Sequence, residues 1–128
     1  MKLRDLDKRQ CISTLQDSFF YMLSCSFSPD DTLVASASSD ETVRLWDVKS
    51  HRCIAKLNGH TAAVCSCAFS ADGAVVASAS RDKTVRVWNM KTFRNVATLQ
   101  GHTKSVSTCD ISRDGILAST SWLFDCGI

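Results

Sequence analysis

The stretch Thr42-Val43-Arg44-Leu45-Trp46-Asp47 returns 42 residues later as Thr84-Val85-Arg86-Val87-Trp88-Asn89. A second stretch, Ala35-Ser36-Ala37-Ser38, returns at the same interval as Ala77-Ser78-Ala79-Ser80. A constant interval of this length indicates a repeated supersecondary unit that cannot bury its apolar face alone. The sequence therefore predicts similar units stacked side by side, each covering the next.

Each period contains four short segments with the composition of β-strands. In the second period these segments are residues 64–69, 75–80, 84–89 and 95–99. The pair Asp72-Gly73 lies between the first two segments, and Asp-Gly favours a tight hairpin turn. No segment keeps a helical spacing of apolar residues over a dozen positions. The pattern predicts an all-β protein of antiparallel four-stranded sheets.

The seven cysteines follow the repeat and not the spacing of a metal site. They are Cys11, Cys25, Cys53, Cys65, Cys67, Cys109 and Cys126. Three of them, at positions 25, 67 and 109, share one repeat position, and no Cys-x-x-Cys pair occurs in the sequence. Zinc sites usually contain such closely spaced pairs. We therefore predict reduced cysteines that pack as small apolar side chains, with no bound metal and no cofactor.

Composition argues against several classes of partner. The chain has 128 residues, is 45% hydrophobic and 22% charged, and carries a net charge of +2 without a block of like charges. This gives no support for binding to nucleic acid. No apolar run reaches the roughly 18 residues of a membrane span, and the charged start Met1–Asp5 is unlike a signal peptide. We expect an intracellular protein, cytoplasmic or nuclear.

Two short motifs mark the start and the end of the periods. They are Gly-His at Gly59-His60 and Gly101-His102, and Trp-Asp or Trp-Asn at Trp46-Asp47 and Trp88-Asn89. A four-strand repeat of about 40–45 residues with these motifs resembles the WD-repeat β-propellers. The resemblance covers the chain up to Trp122. It implies an all-β partial β-propeller, an open arc of antiparallel four-stranded blades.

The resemblance also implies a buried hydrogen-bond chain inside each blade. The matching residues of the complete repeat are His60, Ser80, Asp82 and Trp88. Partial sets are Ser38, Asp40 and Trp46 in the first repeat, and His102 and Ser121 in the third. Ser, His and Asp also form catalytic triads, but a set that recurs and is tied to a buried Trp is typical of structure. We predict no catalytic residue and no enzymatic activity.

The repeat divides the chain into five parts. Residues 1–17 are predicted to hold the last strand of a preceding or incomplete blade, 18–58 repeat 1, 59–100 repeat 2, 101–122 an incomplete repeat 3, and 123–128 a non-repeat tail. Such a chain is too short for a ring of 4–8 blades. It is a fragment, a truncated product, or a chain that completes its ring with copies of itself or a partner. The abrupt tail favours truncation.

The family resemblance implies a non-enzymatic scaffold for protein–protein interactions, binding proteins or peptides on exposed loops. The candidate binding residues precede the turn between strands two and three or precede strand one: Ser39, Arg81 and Trp122, and Tyr21, Ala63 and Ser105. One alternative is a substrate adaptor of a ubiquitin ligase or a chromatin complex. The Trp-Asp-x-Arg motif of some ligase adaptors is absent, which counts against it. Another alternative is a non-functional truncated product.

Overall fold

The computed structural model describes the backbone of residues 2–5 and 10–14, and residues 21–121 in full. These ranges contain twelve β-strands and no helix. The strands are β1 Lys2–Asp5, β2 Gln10–Thr14, β3 Met22–Phe27, β4 Leu33–Ser38, β5 Val43–Asp47, β6 Arg52–Leu57, β7 Val64–Phe69, β8 Val75–Ser80, β9 Val85–Asn89, β10 Asn95–Leu99, β11 Val106–Ile111 and β12 Leu117–Ser121.

The strands form four sheets in chain order. The first blade is β3-β4-β5-β6, and the second blade is β7-β8-β9-β10. Two-stranded sheets precede and follow them: the N-terminal pair β1-β2 and the C-terminal pair β11-β12. All neighbouring strands are antiparallel. The predicted all-β class with four-stranded antiparallel blades is therefore confirmed.

The largest core lies between the first and the second blade. On the first blade, Ala35 pairs with Leu45, and both side chains are fully buried. On the second blade, Phe69 pairs with Val76, and both join the same cluster together with Trp88. The small alanines let the sheets approach closely, while the aromatic rings fill the remaining volume. Burying these apolar faces is what holds the blades together.

The same interface recurs between the second blade and the C-terminal pair. Its core contains Ala77, Ala79, Val85, Val106 and Cys109. In both interfaces the first strand of a blade lies against the first two strands of the blade before it: β7 contacts β3 and β4, and β11 contacts β7 and β8. The same packing arrangement between neighbouring sheets therefore occurs twice in the described part of the chain.

The hairpin turns between the first and second strands share one design. In the first blade the Ser28 hydroxyl donates to the Asp30 carboxylate at 2.7 Å and accepts the Leu33 amide at 3.0 Å. The residue after the Asp has a left-handed backbone: Asp31 at φ 62°, and Gly73 at φ 72° in the next repeat. Glycine adopts this conformation without strain, which explains the Asp-Gly pair noted in the sequence.

The N-terminal region differs from the prediction, which placed one strand in residues 1–17. Two strands, β1 and β2, are present and pair antiparallel. The missed strand β1 lies one period before the end of β5, but Arg4 stands where Trp46 marks that strand. Without the tryptophan, four residues carried too weak a pattern to be recognised.

Several expectations lie outside the described residues. They concern Trp122 and the tail 123–128. Across the described ranges, the structure contains no helix with the length and apolar character that crossing a membrane would require.

Candidate functional site

A chain of three hydrogen bonds crosses the second blade. The Trp88 indole Nε1 donates to Ser78 Oγ at 2.8 Å, and Ser78 Oγ lies 2.7 Å from His60 Nε2. His60 Nδ1 lies 2.7 Å from the Asp82 carboxylate. All donors and acceptors match when Ser78 donates to Nε2 and a proton on Nδ1 is donated to Asp82. The chain ties the loop before β7 to β8, to β9 and to the turn between them.

The serine in this chain is Ser78, so the prediction of Ser80 was wrong. Ser80 instead donates to the Ala62 and Ala63 carbonyls at 3.1 and 3.0 Å, which holds the loop before β7. Ser78 and Ser80 lie on the same face of β8, so alternation could not separate them. The strand register separates them, because Trp88 lies opposite Val76. On this face of β8 the next residue after Val76 is Ser78, and Ser80 is one further along.

The same shift of two residues applies to the other repeats. In the first blade Trp46 Nε1 donates to Ser36 Oγ at 2.9 Å, so Ser36 takes the place predicted for Ser38. In the C-terminal pair His102 Nε2 bonds Ser119 Oγ at 2.8 Å, where Ser121 was predicted. Both Ser36 and Ser38 recur at fixed spacings before the tryptophan, so the repeat alone carried no signal that could have identified the bonded serine.

Electrostatics favour a neutral His60 beside an ionised Asp82. Burial lowers the pKa of His60, and the hydrogen bond that its Nδ1 donates to the Asp82 carboxylate offsets this effect only in part. Burial alone would raise the pKa of Asp82, but hydrogen bonds from Thr84 and His60 outweigh it and hold the pKa below its usual range. A neutral imidazole that donates to a carboxylate is a stable structural arrangement.

This group is not arranged for nucleophilic catalysis. The Ser78 side chain is 0% exposed, and its hydroxyl is already bonded to the indole of Trp88 and to His60. A nucleophile must reach a substrate. The Ser78 hydroxyl therefore joins β8 to β9 and to the loop before β7.

The first blade uses an arginine to pair its turn aspartate. Asp40 forms an ion pair with Arg44, and it accepts a hydrogen bond from the Thr42 hydroxyl at 2.6 Å. Burial alone would raise the pKa of Asp40, but the bonds from Thr42 and Arg44 contribute to holding it below its usual range. Arg44 is only 2% exposed. The sequence did not reveal this pair, because an arginine also stands at the same repeat position of the second blade, as Arg86. There the turn aspartate, Asp82, bonds His60 instead.

The predicted binding residues lie at one edge of the sheets. The Tyr21 amide donates to Ser39 Oγ at 2.9 Å, and the Ser39 amide donates to the Tyr21 carbonyl at 2.8 Å. In the next repeat the Arg81 amide donates to the Ala63 carbonyl at 3.0 Å, and the Ser105 hydroxyl donates to the Arg81 carbonyl at 3.4 Å. We call these five residues the loop edge. Trp122, the sixth candidate, lies outside the described residues.

Two of the five residues of the loop edge are exposed, the other three are half-buried, and basic side chains lie nearby. The Tyr21 side chain is 78% exposed, and Arg81 is exposed as well. Lys83 and Lys104, which the sequence analysis did not select, are exposed in the same turn and loop. The hairpin turns lie at the opposite end of the strands and line an open groove of about 390 Å³ between residues 70–72 and 112–115. The two edges thus differ in chemistry.

Metal ligands are not grouped in the described part of the chain. No cluster of three or more His, Cys, Asp or Glu side chains occurs there. Five cysteines in residues 21–121, namely Cys25, Cys53, Cys65, Cys67 and Cys109, are free thiols. Burial raises the pKa of the Cys67 thiol, and raises that of Cys109 to about 11, so both resist ionisation.

Comparisons with known proteins agree with the repeat. The family model described as "WD domain, G-beta repeat" matches residues 9–47, 51–89 and 93–128. Two similar solved structures, described as "Structure of U3-55K" and "Crystal structure of RRP9 WD40 repeats", each have a TM-score of 0.78 and 28% identity over 83% of this chain. The chain spans 35% and 34% of their lengths, respectively. The search of curated proteins found no match.

Proposed function

Because the chain belongs to the WD40 family of G-beta repeat proteins, we propose that it is a non-enzymatic scaffold that binds proteins or peptides at its loop edge. WD40 repeat proteins are generally protein-interaction scaffolds. Membership confirms the resemblance expected from the sequence, and the partial β-propeller follows from it and from the observed blades. The fold alone does not choose a partner.

The observation that supports the loop edge is its rigidity combined with exposure. Tyr21 and Ser39 are joined by two hydrogen bonds, and Arg81 is bonded to Ala63 and Ser105. The buried chain from Trp88 to Asp82 holds the turn that carries Arg81. Exposed Tyr and Arg side chains are common at interaction hot spots, and a backbone that is already held by hydrogen bonds has little further conformational entropy to lose on binding.

The test is quantitative affinity purification with mass spectrometry. The Arg81→Glu variant changes the loop edge, and Arg113→Glu is the matched control, an exposed arginine in the hairpin turn at the opposite edge. We expect the first variant to lose partners that the wild type and the control retain. Equal recovery of all partners by the two variants would refute binding through the loop edge. Circular dichroism of both variants checks that they are folded.

We also propose that the protein acts inside the cell, in the cytoplasm or the nucleus. Its support is the set of free thiols in the described ranges, two of them in blade interfaces, which suits a reducing compartment. Cell fractionation with an antibody to the endogenous protein tests the location. Recovery from a secreted fraction would contradict it.

A further inference from the structure

The turn between β8 and β9 in the second blade carries two exposed positive charges. They belong to Arg81 and Lys83, and within residues 21–121 neither side chain forms an ion pair. The equivalent residues of the first blade, one period earlier, are Ser39 and Glu41. Lys83 and Glu41 have nearly the same left-handed backbone, at φ 75° and 76°. The two turns therefore share this backbone conformation but differ in charge.

A third cation, Arg86, is half-buried beside this turn and has no carboxylate partner among the described residues. In the first blade the equivalent Arg44 pairs with the turn aspartate, whereas in the second blade His60 bonds that aspartate. The Nε atom of Arg86 is buried and has no hydrogen-bond partner. Removing a positive charge from water without pairing it is unfavourable. A negatively charged ligand that reaches Arg86 therefore offsets part of this cost.

Hydrogen bonds of the second blade bring these three cations together. The turn aspartate bonds His60 at 2.7 Å and the amide of the next residue at 3.2 Å, which fastens the loop before β7 to the turn. The Arg86 guanidinium lies against Gly59, an exposed residue of the same loop, where a Cβ atom would be only 2.9 Å from Nη1. Burial, and to a smaller extent the charge of Arg86, lower the pKa of His60, so the guanidinium is also close to this imidazole. We call Arg81, Lys83 and Arg86 the basic cluster.

We propose that the basic cluster binds a peptide segment of a partner protein that is rich in Asp and Glu. The inference rests on the proposed function, because it names the partner chemistry of the loop edge, to which Arg81 belongs. Carboxylates suit such a cluster, since a guanidinium donates two parallel hydrogen bonds to one carboxylate. Lys104, exposed in the neighbouring loop, adds a further positive charge. The second blade has a sheet on each side in the described chain, so its neighbours are defined.

The charges of the first blade favour a short acidic segment over a nucleic acid. Glu41 is exposed at the same edge, and Arg44 is already paired with the turn aspartate there. A nucleic acid carries a negative phosphate at every nucleotide, so a strand that runs from the second blade to the first meets a repelling carboxylate. A short peptide contacts the basic cluster alone.

The first test selects peptides without assuming their sequence. A phage library of random dodecapeptides is bound to the immobilised full chain, and we expect the selected peptides to be enriched in Asp and Glu relative to the input library. The variant Arg81→Ser/Lys83→Glu carries the first-blade residues at the same turn positions and should lose this enrichment. The control Arg113→Glu changes an exposed arginine at the opposite edge and should retain it. Circular dichroism checks that both variants are folded.

The outcomes separate this inference from the proposed function. Enrichment in the wild type without a charge bias, or the same acidic enrichment in the double variant, would overturn the acidic partner. If the selected peptides have no acidic bias but are lost by Arg81→Glu and retained by Arg113→Glu, binding at the loop edge stands and only the acidic partner fails. Equal retention by these two variants would overturn both.

The second test compares the two equivalent arginines. The most enriched acidic peptide is labelled with fluorescein, and its Kd is measured by fluorescence anisotropy. Arg86→Met should raise this Kd by about tenfold without lowering the midpoint of urea unfolding, because Arg86 pairs with no carboxylate in the described chain. Arg44→Met, which breaks an ion pair, should lower the midpoint. An unchanged Kd in Arg86→Met, or an equal loss of stability in the two variants, would overturn the proposal.

The third test identifies the source of the negative charge. Three unlabelled competitors displace the labelled peptide from the wild-type chain: the same peptide, a version with phosphoserine in place of each acidic residue, and a uridine RNA homopolymer. We expect neither the phosphopeptide nor the RNA to compete better than the acidic peptide. Displacement by either at a concentration about tenfold lower, equivalent to about 1.4 kcal/mol, would assign the cluster to a phosphorylated segment or to RNA and overturn the assignment to Asp and Glu.

Discussion

Replacing Ser78 by alanine removes the central hydroxyl of the second blade's hydrogen-bond chain. That hydroxyl accepts a bond from Trp88 Nε1 at 2.8 Å and lies 2.7 Å from His60 Nε2. The variant therefore leaves two buried polar groups without a partner. Each such group costs about 1–3 kcal/mol, so the free energy of unfolding should fall by about 2–6 kcal/mol. A domain has only about 5–15 kcal/mol in total.

The first blade provides a matched control. Ser36 accepts a bond from Trp46 at 2.9 Å, and the turn aspartate of that blade pairs with an arginine. The variant Ser36→Ala should therefore orphan one donor and cost about half as much, about 1–3 kcal/mol. The double variant Ser78→Ala/Trp88→Phe removes both partners of one bond, so its cost should be less than the sum of the two single costs.

The assay is equilibrium unfolding in urea, followed by far-ultraviolet circular dichroism and by tryptophan fluorescence. Coincident transitions are required before free energies are compared. Equal costs for Ser78→Ala and Ser36→Ala would refute the reasoning that the bond to His60 is part of the chain. Additive costs in the double variant would refute the coupling between Ser78 and Trp88.

Three further predictions concern packing and charge. Phe69→Ala should cost about 3–5 kcal/mol in the same urea assay, and Phe27→Ala, at a residue that is 53% exposed, should cost clearly less; equal costs would contradict the difference in burial. Arg44→Met should cost about 3–5 kcal/mol because it leaves the partly buried Asp40 carboxylate without its positively charged partner, and an unchanged unfolding midpoint would refute that pairing. Burial raises the pKa of Cys109 from 9.0 to about 11, so the unfolded thiol ionises first, and stability should fall as pH rises through this interval. Cys109→Ala should reduce that slope, and an identical slope would contradict it.

The repeat predicted the blades because burial and spacing act together along the chain. Residues such as Ala35 and Trp46 recur at one interval since each must meet an equivalent neighbour. The same logic did not determine which serine bonds the tryptophan. Ser78 and Ser80 have the same parity and composition, so their roles depend on strand register, which is a property of paired strands.

The ion pair between Asp40 and Arg44 could not be predicted from the repeat for a related reason. Arginine occupies this position in both repeats, as Arg44 and Arg86, but only one of them pairs with the turn aspartate. In the second blade His60, in the loop before β7, bonds the turn aspartate, and the sequence has a serine one period earlier. The partner of the turn aspartate therefore differs between two blades that have the same arginine.

The hairpin turns have a consequence for how the chain acquires its structure. In residues 28–33 the Ser28 hydroxyl, the Asp30 carboxylate and the Leu33 amide satisfy one another within six positions. Such a turn needs nothing from distant parts of the polypeptide, and hairpins form within about 1–10 μs. We expect these local hairpins to be the earliest ordered elements during synthesis, with later strands adding to them in the order in which they leave the ribosome.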